Sequence, residues 1–253
     1  MPTWSALADE LDNWDGLGLV ASFWWRDDDA GAATPELARL LALRRALAVP
    51  LCIAAVPARL DGAAIERLAG EADVAVVQHG WDHANHARPG EKKIELGGAR
   101  GAAEIEGDLV RGLGVGASRL GRRWHAVLVP PWNRIAGAIV ARLPALGYRG
   151  LSRFGPRGRS APLAEVNTHV DIVAWHDGRR FVGENEALKA AVAHLRARRT
   201  GAADRCEPTG LLTHHAVHDA ACWRFVADFV GAVRGRAGTV FVGLSDALEA
   251  GPP

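Results

Sequence analysis

Acidic side chains follow the first strongly apolar segment of this chain. Asp27, Asp28 and Asp29 come directly after a run that ends in Trp24 and Trp25. A run of like charges is usually a solvated turn. Acids at the carboxyl end of a buried strand are different, because they lie where α/β enzymes place their chemistry. The triplet is therefore a candidate for metal binding or for acid–base catalysis.

Histidines follow later apolar segments in the same way. His79 and His83 stand four residues apart in "QHGWDH", and His214 and His215 close "LLTHH". If the strands are parallel, these side chains share one edge of the sheet with the aspartates. Two neutral imidazoles and one carboxylate are a common ligand set for a catalytic divalent cation, with positions left open for water and substrate. The spacing alone is weak evidence, since such histidine pairs are often structural.

Strand-length apolar runs alternate with helical patterns along the whole chain. Helix starts are indicated by Thr34 before Pro35, by Asn133 and by Asp219, each of which can cap a helix. This alternation predicts an α/β fold with a mostly parallel sheet that is closed or nearly closed as a barrel, in one domain spanning 1–253. The predicted strands are 17–25, 51–56, 74–78, 126–129, 150–153, 170–174, 210–213 and 239–242.

Composition narrows the class of protein. The chain has 253 residues, 49% of them hydrophobic, and a net charge of +1, so nothing indicates nucleic acid or an anionic membrane as a partner. Three cysteines without metal-type spacing favour a reducing compartment. The first 16 residues predict an amphipathic helix without the features of a signal peptide, and no apolar run approaches the ~20 residues that span a bilayer. We expect a cytoplasmic protein with no integral membrane segment.

The ordered motifs resemble the polysaccharide deacetylase family, the carbohydrate esterases of family 4 with a NodB-homology domain. "RDDDA" (26–30) is similar to the first motif, Thr-Phe-Asp-Asp-Gly, and "HGWDH" (79–83) to the second, His-(Ser/Thr)-x-x-His. "VPPWN" (129–133) is similar to the third and "LLTH" (211–214) to the fifth. The resemblance covers most of the chain and implies a distorted, mostly parallel (β/α)7-type barrel.

The resemblance also implies site residues. Asp29, His79 and His83 would hold a divalent cation, which we expect to be Zn²⁺, with Co²⁺, Ni²⁺, Mn²⁺ or Fe²⁺ as alternatives. In the mechanism that we predict, Asp28 takes a proton from water and His214 protonates the leaving amine, while the backbone N–H of Trp132 stabilises the oxyanion. The residues that we expect to contact the substrate are Trp81, Pro131, Asn133 and Trp175.

Two positions depart from the family pattern. The third-motif arginine, which orients the catalytic base, is Val129 here, and the second acid of the fourth motif is Ala174. Such supporting groups tune the strength of acids and bases. Arg26 or Arg134 could replace the arginine. Asp171, Asp177 or Asp219 could replace the acid, and the sequence leaves both choices open.

The predicted activity is metal-dependent removal of an N-acetyl group from an amino-sugar-containing substrate. Without a secretion signal, a sugar nucleotide, a glycolipid precursor or an oligosaccharide is favoured over an external polymer. Two alternatives stay open: an amidohydrolase acting on a non-sugar C–N bond, and a homologue that has lost catalysis but binds metal or glycan. A Rossmann-like dinucleotide protein is disfavoured because no G-x-G-x-x-G follows the first strand.

Overall fold

The computed structural model describes residues 3–158 and 162–250. Strands and helices alternate along the chain, as the apolar periodicity predicts. The strands are β1 (Ala21–Ala30), β2 (Leu51–Ala55), β3 (Val74–His79), β4 (Trp124–Val129), β5 (Gly150–Leu151), β6 (Ala164–Glu165), β7 (Val170–Asp171), β8 (Val173–Ala174), β9 (Arg180–Phe181), β10 (Thr209–Thr213) and β11 (Thr239–Phe241). The helices are α1 (Trp4–Asp15), α2 (Pro35–Leu47), α3 (Gly62–Ala69), α4 (Ala102–Leu120), α5 (Gly137–Val140), α6 (Glu184–Thr200), α7 (Ala220–Arg234) and α8 (Leu244–Glu249).

A single curled sheet organises the described part of the chain. Its order is β6-β5-β4-β3-β2-β1-β10-β7, with β11 also paired to β1, and every pairing is parallel. An isolated parallel bridge between Phe154 and Thr168 joins the segment after β5 to the segment before β7, so the two ends of the curl approach each other. Among the strands of the described residues, only β8 and β9 pair in antiparallel fashion, as a short separate pair. The predicted distorted, mostly parallel barrel is confirmed.

The two faces of the sheet bury different residues because side chains alternate along a strand. Trp24 packs on the inner face with residues of β2, β3 and β4, and α8 covers this cluster with Leu244 and Ala247. Trp25 packs on the outer face in the larger cluster that includes α1, α2, α6 and α7. The adjacent tryptophans thus lie on opposite faces, as the alternation requires.

The first predicted strand is displaced along the sequence. It begins at Ala21 rather than at residue 17, and Leu17 is 60% exposed. At its other end β1 continues to Ala30, so the three aspartates lie within the strand and not after it. The predicted strand 170–174 is interrupted, since Ile172 separates β7 from β8. The hydrophobicity of 17–20 reflects a turn beside the sheet and not a buried strand.

Two of the three predicted helix caps are confirmed. The Thr34 side chain accepts the Leu37 N–H at the start of α2, and Asp219 accepts the N–H groups of Ala221 and Cys222 at the start of α7. The prediction for Asn133 is wrong: α5 begins at Gly137 and the Asn133 side chain binds Arg26 instead. No helix among the described residues is long and apolar enough to cross a membrane.

Candidate active site

The end of β1 directs neighbouring aspartates to one place. Alternation alone would send Asp28 to the inner face and Asp29 to the outer face. Between Asp27 and Ala30 the register with β2 shifts, and Asp29 adopts a positive φ of 73°. This bulge returns Asp29 to the side of Asp28, as irregularities near sites often do.

Asp29, His79 and His83 converge at the carboxyl end of the sheet. The Oδ1 of Asp29 lies 3.1 Å from His79 Nε2 and 3.2 Å from His83 Nε2. These separations suit ligands that surround one cation with bonds of ~2.0–2.2 Å. His79 donates its Nδ1–H to the carbonyl of Val129 at 3.0 Å, a partner that leaves Nε2 free to bind a cation. The three residues form a group that could hold a metal ion.

A buried glutamate shapes the loop that carries His83. Glu95 accepts backbone N–H bonds from Trp81 at 2.6 Å and from His83 at 3.1 Å, with a longer bond of 3.3 Å from Asp82. Gly80 adopts a φ of 59°, and a Cβ there would overlap the Glu95 carboxylate. Sequence reasoning missed Glu95, because its polar loop gave no sign that one acid would be fully buried.

The surroundings of His79 and His83 shift their pKa values in opposite directions. Burial lowers the pKa of His83 to about 4, and the nearby His79 and Arg59 act in the same direction. His83 is therefore neutral and able to bind a cation at ordinary pH. Burial also opposes the charged form of His79, but the hydrogen bond to Asp29 and the charges of Asp28 and Asp29 outweigh it and raise its pKa. Burial alone would raise the pKa of Asp29. The hydrogen bond to His79 outweighs burial, so the pKa of Asp29 lies below its usual value.

Arg26 holds Asp28 from the same strand. Its Nε and Nη2 donate to the two carboxylate oxygens of Asp28 at 2.8 and 2.9 Å, in a bidentate pair that is completely buried. The same guanidinium donates to Ser152 Oγ at 2.6 Å and to Asn133 Oδ1 at 2.9 Å. Of the two arginines that the sequence leaves open, Arg26 therefore holds Asp28, whereas Arg134 donates to the Lys93 carbonyl.

His214 lies on the inner face beside Asp28. Its Nε2 is 4.0 Å from Asp28 Oδ2, and the edge of Trp175 packs against its ring at 4.5 Å between centroids. Asp171 accepts the Trp175 Nε1–H at 2.8 Å, so it supports His214 through that ring. The buried Nδ1 of His214 has no hydrogen-bond partner among the described residues. Among the residues that the structure describes, no carboxylate therefore hydrogen-bonds to His214 Nδ1.

Of the other two candidate acids, neither reaches His214. Asp219 caps α7 and also accepts the Phe181 N–H, and Asp177 pairs with Arg180. Both carboxylates thus have structural partners elsewhere.

Asp27 and His215 form a second pair on the outer face. Asp27 accepts the Thr213 hydroxyl at 2.6 Å, the His215 N–H at 3.0 Å and the His215 Nδ1–H at 2.5 Å. Burial raises the pKa of Asp27, but His215 outweighs it and lowers that pKa. The pair links the end of β1, which carries Asp28, to the turn directly after β10, which carries His214. Alternation separates His214 from His215, and only His214 faces the candidate cation site.

The segment after β4 brings a strained tryptophan to the site. Trp132 has a φ of 55°, and its ring edge meets His83 at 4.4 Å between centroids. In the part of the chain that the structure describes, the Trp132 backbone N–H donates to no acceptor. Pro131 is buried and packs near Gly80. Asn133 is occupied by Arg26 as described above.

Trp81 faces away from the cluster formed by Asp28, Asp29 and His214. Its ring stacks under the Arg111 guanidinium of α4 at 4.8 Å. The predicted contact residues thus divide: Trp132 and Trp175 flank the site, and Trp81 packs on α4.

A second group, His169, His194 and Glu207, also has the composition of a metal site. Gly210 N–H donates to His169 Nδ1 at 3.0 Å, which leaves the proton of a neutral ring on Nε2, facing Glu207 at 3.5 Å. The rings of His169 and His194 also stack face to face, with 3.3 Å between their centroids. Because ring-nitrogen lone pairs lie in the plane of each ring, the Nε2 atoms of two stacked rings cannot both point at one ion. This group fits a hydrogen-bonded cluster and not a cation site.

Comparison with known proteins identifies the fold. No profile of a known protein family matches the sequence, and no curated protein matches it. Solved structures do match over most of their length. A putative polysaccharide deacetylase from Mycobacterium smegmatis is similar with a TM-score of 0.60 and 16% identity, over 92% of this chain and 90% of that one.

Two further solved structures match similarly. A family 4 carbohydrate esterase from Streptomyces lividans in complex with acetate has a TM-score of 0.58 and 14% identity, over 89% of this chain and 94% of that one. A family 4 acetyl xylan esterase from Clostridium thermocellum in complex with a cobalt ion has a TM-score of 0.52 and 14% identity, over 91% of this chain and 93% of that one. The chain therefore has the fold of the polysaccharide deacetylases, and the resemblance seen in its motifs is confirmed at that level.

Proposed function

We propose that this chain is a metal-dependent hydrolase that removes an N-acetyl group from an amino-sugar-containing substrate. The observation that carries the proposal is the convergence of Asp29, His79 and His83, whose ligand atoms all lie within 4.8 Å of one another, beside Asp28 and His214. The solved structures of the same fold support it, because they include deacetylases and an esterase bound to acetate.

Asp29, His79 and His83 would hold the cation, with Zn²⁺ as the expected ion. A divalent cation bound there supplies Lewis-acid activation of the amide carbonyl and of the attacking water. The donor set of two imidazoles and a carboxylate also accepts Co²⁺, Ni²⁺, Mn²⁺ or Fe²⁺. The cobalt ion in the acetyl xylan esterase of the same fold is consistent with this choice of ligands.

Asp28 acts as the base in this proposal. Arg26 holds both of its carboxylate oxygens and keeps the carboxylate in one orientation, at the edge where the ligand residues meet. His214 lies 4.0 Å from Asp28 and delivers a proton to the leaving amine. An amine leaves poorly as an anion, so hydrolysis of an amide needs this acid as much as it needs the base.

The backbone N–H of Trp132 stabilises the developing oxyanion. A free N–H held by a strained backbone is a preorganised donor, and a donor of this type typically contributes a factor of about 10²–10³ to turnover. The rings of Trp132 and Trp175 stand on the two sides of the site and provide apolar walls for a sugar ring.

The proposal is tested with Asp28→Asn. We expect the variant to retain its bound metal, because Asp28 is not a ligand, and to lose at least about 10²-fold in kcat for acetate release from a panel of N-acetylated sugars. Metal content and acetate release are measured on the same preparation. Asp9→Asn, an exposed change on α1, serves as the control with the same chemistry. Unchanged turnover in Asp28→Asn would reject the assignment.

A further inference from the structure

The loop that follows β3 and the segment that follows β4 each place one cation, Lys93 and Arg134, next to the candidate active site. The Lys93 ammonium lies 5.9 Å from the centre of the Trp132 ring, the ring that contacts His83. Arg134 donates to the backbone carbonyl of Lys93 at 3.0 Å, which brings its guanidinium to the same junction. Lys93 thus stands one tryptophan ring away from His83, and Arg134 is held against the backbone of Lys93.

Nothing in the described structure neutralises these cations. None of the ion pairs within residues 3–158 and 162–250 involves Lys93 or Arg134, whereas many other arginines, such as Arg100 and Arg153, are paired. The nearby acids are turned onto backbone N–H groups: Glu95 holds the His83 loop, Asp82 accepts the Ala84 N–H and Glu91 accepts the Arg88 N–H.

A third cation approaches from the adjacent loop. Arg59 ends the turn after β2, is exposed, and is also absent from the ion pairs of the described residues. Ala58 N–H donates to the Trp81 carbonyl, so this turn packs directly against the loop that carries His83. Unpaired positive charge therefore lies on both sides of that loop.

We propose that Lys93 and Arg134 form a subsite for an anionic group, phosphate or carboxylate, carried by the substrate beyond the ring that binds at Trp132. This inference rests on the proposed deacetylase function and narrows its substrate class. A lysine supplies a mobile point charge and an arginine a planar fork, and together they bind a tetrahedral or planar oxyanion well. Arg59 adds attraction from the opposite side of the loop.

The subsite is tested by binding, without turnover. Zinc-loaded Asp28→Asn protein is titrated calorimetrically with N-acetylglucosamine 1-phosphate, N-acetylmuramic acid and uncharged N-acetylglucosamine. We expect at least one anionic sugar to bind about tenfold more tightly than the uncharged sugar, because hydrogen bonds between charged groups are stronger than those between neutral groups. Preference for the first sugar identifies phosphate as the group, and preference for the second identifies carboxylate.

Matched variants assign that preference to the two residues. Adding Lys93→Met and Arg134→Gln should reduce the preference to within about twofold while leaving the affinity for uncharged N-acetylglucosamine unchanged. Lys189→Met with Arg234→Gln removes the same two charges from α6 and α7 and should preserve the preference. Equal affinity for all three sugars, a preference that survives the Lys93/Arg134 change, or no binding of any sugar would overturn the proposal.

Acetate release by the unsubstituted enzyme separates this inference from the proposed function. If anionic sugars bind through Lys93 and Arg134 but release no acetate, the proposed deacetylase function is contradicted and the proposed anion subsite is supported. Acetate released equally well from charged and uncharged sugars that bind with equal affinity would support the deacetylase function and contradict the subsite.

Discussion

The three consecutive aspartates have three different partners. Asp27 binds His215 on the outer face, Asp28 binds Arg26 on the inner face, and Asp29 lies against His79 and His83. Each carboxylate is held apart from its neighbours by a basic partner, so the repulsion expected of such a triplet is relieved. The bulge at Asp29 makes this possible, because a regular strand would direct Asp29 to the outer face with Asp27 and away from Asp28.

Residue types and order predicted which side chains meet, but not how they are supported. Asp28, Asp29, His79, His83 and His214 are brought together as the motifs indicate. The choice of Arg26 over Arg134 was open, because it depends on side-chain direction along β1 and on the position of Ser152. That no acid of the described residues contacts His214 Nδ1 is equally hidden in the sequence, since Asp171, Asp177 and Asp219 are all candidates there.

Arg26→Lys tests the support of the base. Lysine keeps the positive charge but cannot make the bidentate pair with Asp28 or reach Ser152 and Asn133 at once. We expect kcat for acetate release to fall about 10–100-fold with bound metal retained. Kinetics and metal analysis on the variant measure this, with the exposed Arg39→Lys as control. Full activity in Arg26→Lys would show that Asp28 does not depend on a bidentate arginine for its orientation.

At the level of elements, the loop after β3 is the least predictable part of the site. Its motif "HGWDH" indicated two ligands, but the positive φ at both Gly80 and His83 depends on Glu95, twelve residues beyond His83. A contact of that range leaves no periodic signal in a polar loop. The same long-range effect explains the error at Asn133, where Arg26 offers a better partner than a helix start.

Glu95→Gln should weaken the metal site from a distance. The amide keeps one acceptor oxygen but turns an NH₂ group toward backbone N–H donors, so the loop loses part of its support. We expect cation affinity to fall about 10–100-fold, as for other losses of groups that orient ligands. Competition with a chelator measures it. Glu91→Gln, in the same loop but exposed, is the control, and equal affinities for the two variants would contradict the role of Glu95.

At the scale of the whole molecule, alternation of strands and helices was sufficient to predict the barrel. The long central strands β1 to β4 carry most of that signal. The sheet ends do not, because β5, β6 and β7 have two residues each and are held by other contacts. Glu207 accepts the N–H groups of Arg157 and Asn167 and thus joins the two ends of the curl. The single-domain organisation over 1–253 stays a prediction.

The buried cluster of His169, His194 and Glu207 should make the free energy of unfolding depend on pH. Burial lowers the pKa of His194 from 6.5 to about 4, so between these values the unfolded chain binds more protons than the folded one. Stability therefore rises with pH in that window and is lost as the pH falls from 6.5 toward 4, by at most about 3 kcal/mol from this residue. His169 contributes in the same direction.

His194→Gln isolates this contribution. The free energy of unfolding of the unsubstituted protein should fall more between pH 7 and pH 5 than that of the variant. Urea denaturation at the two pH values measures it, with His176→Gln, an exposed histidine, as control. An identical pH dependence in the two proteins would mean that His194 accepts a proton in the folded state.

The account as a whole depends on one cation held by Asp29, His79 and His83. Equilibrium dialysis of the purified chain against Zn²⁺, and against Co²⁺ with its visible absorption, measures that directly in the unsubstituted protein, in His79→Ala/His83→Ala and in His194→Gln. We predict one tightly bound cation per chain, lost in the first variant and retained in the second. A cation that survives the loss of both His79 and His83, or that disappears with His194, would contradict the account.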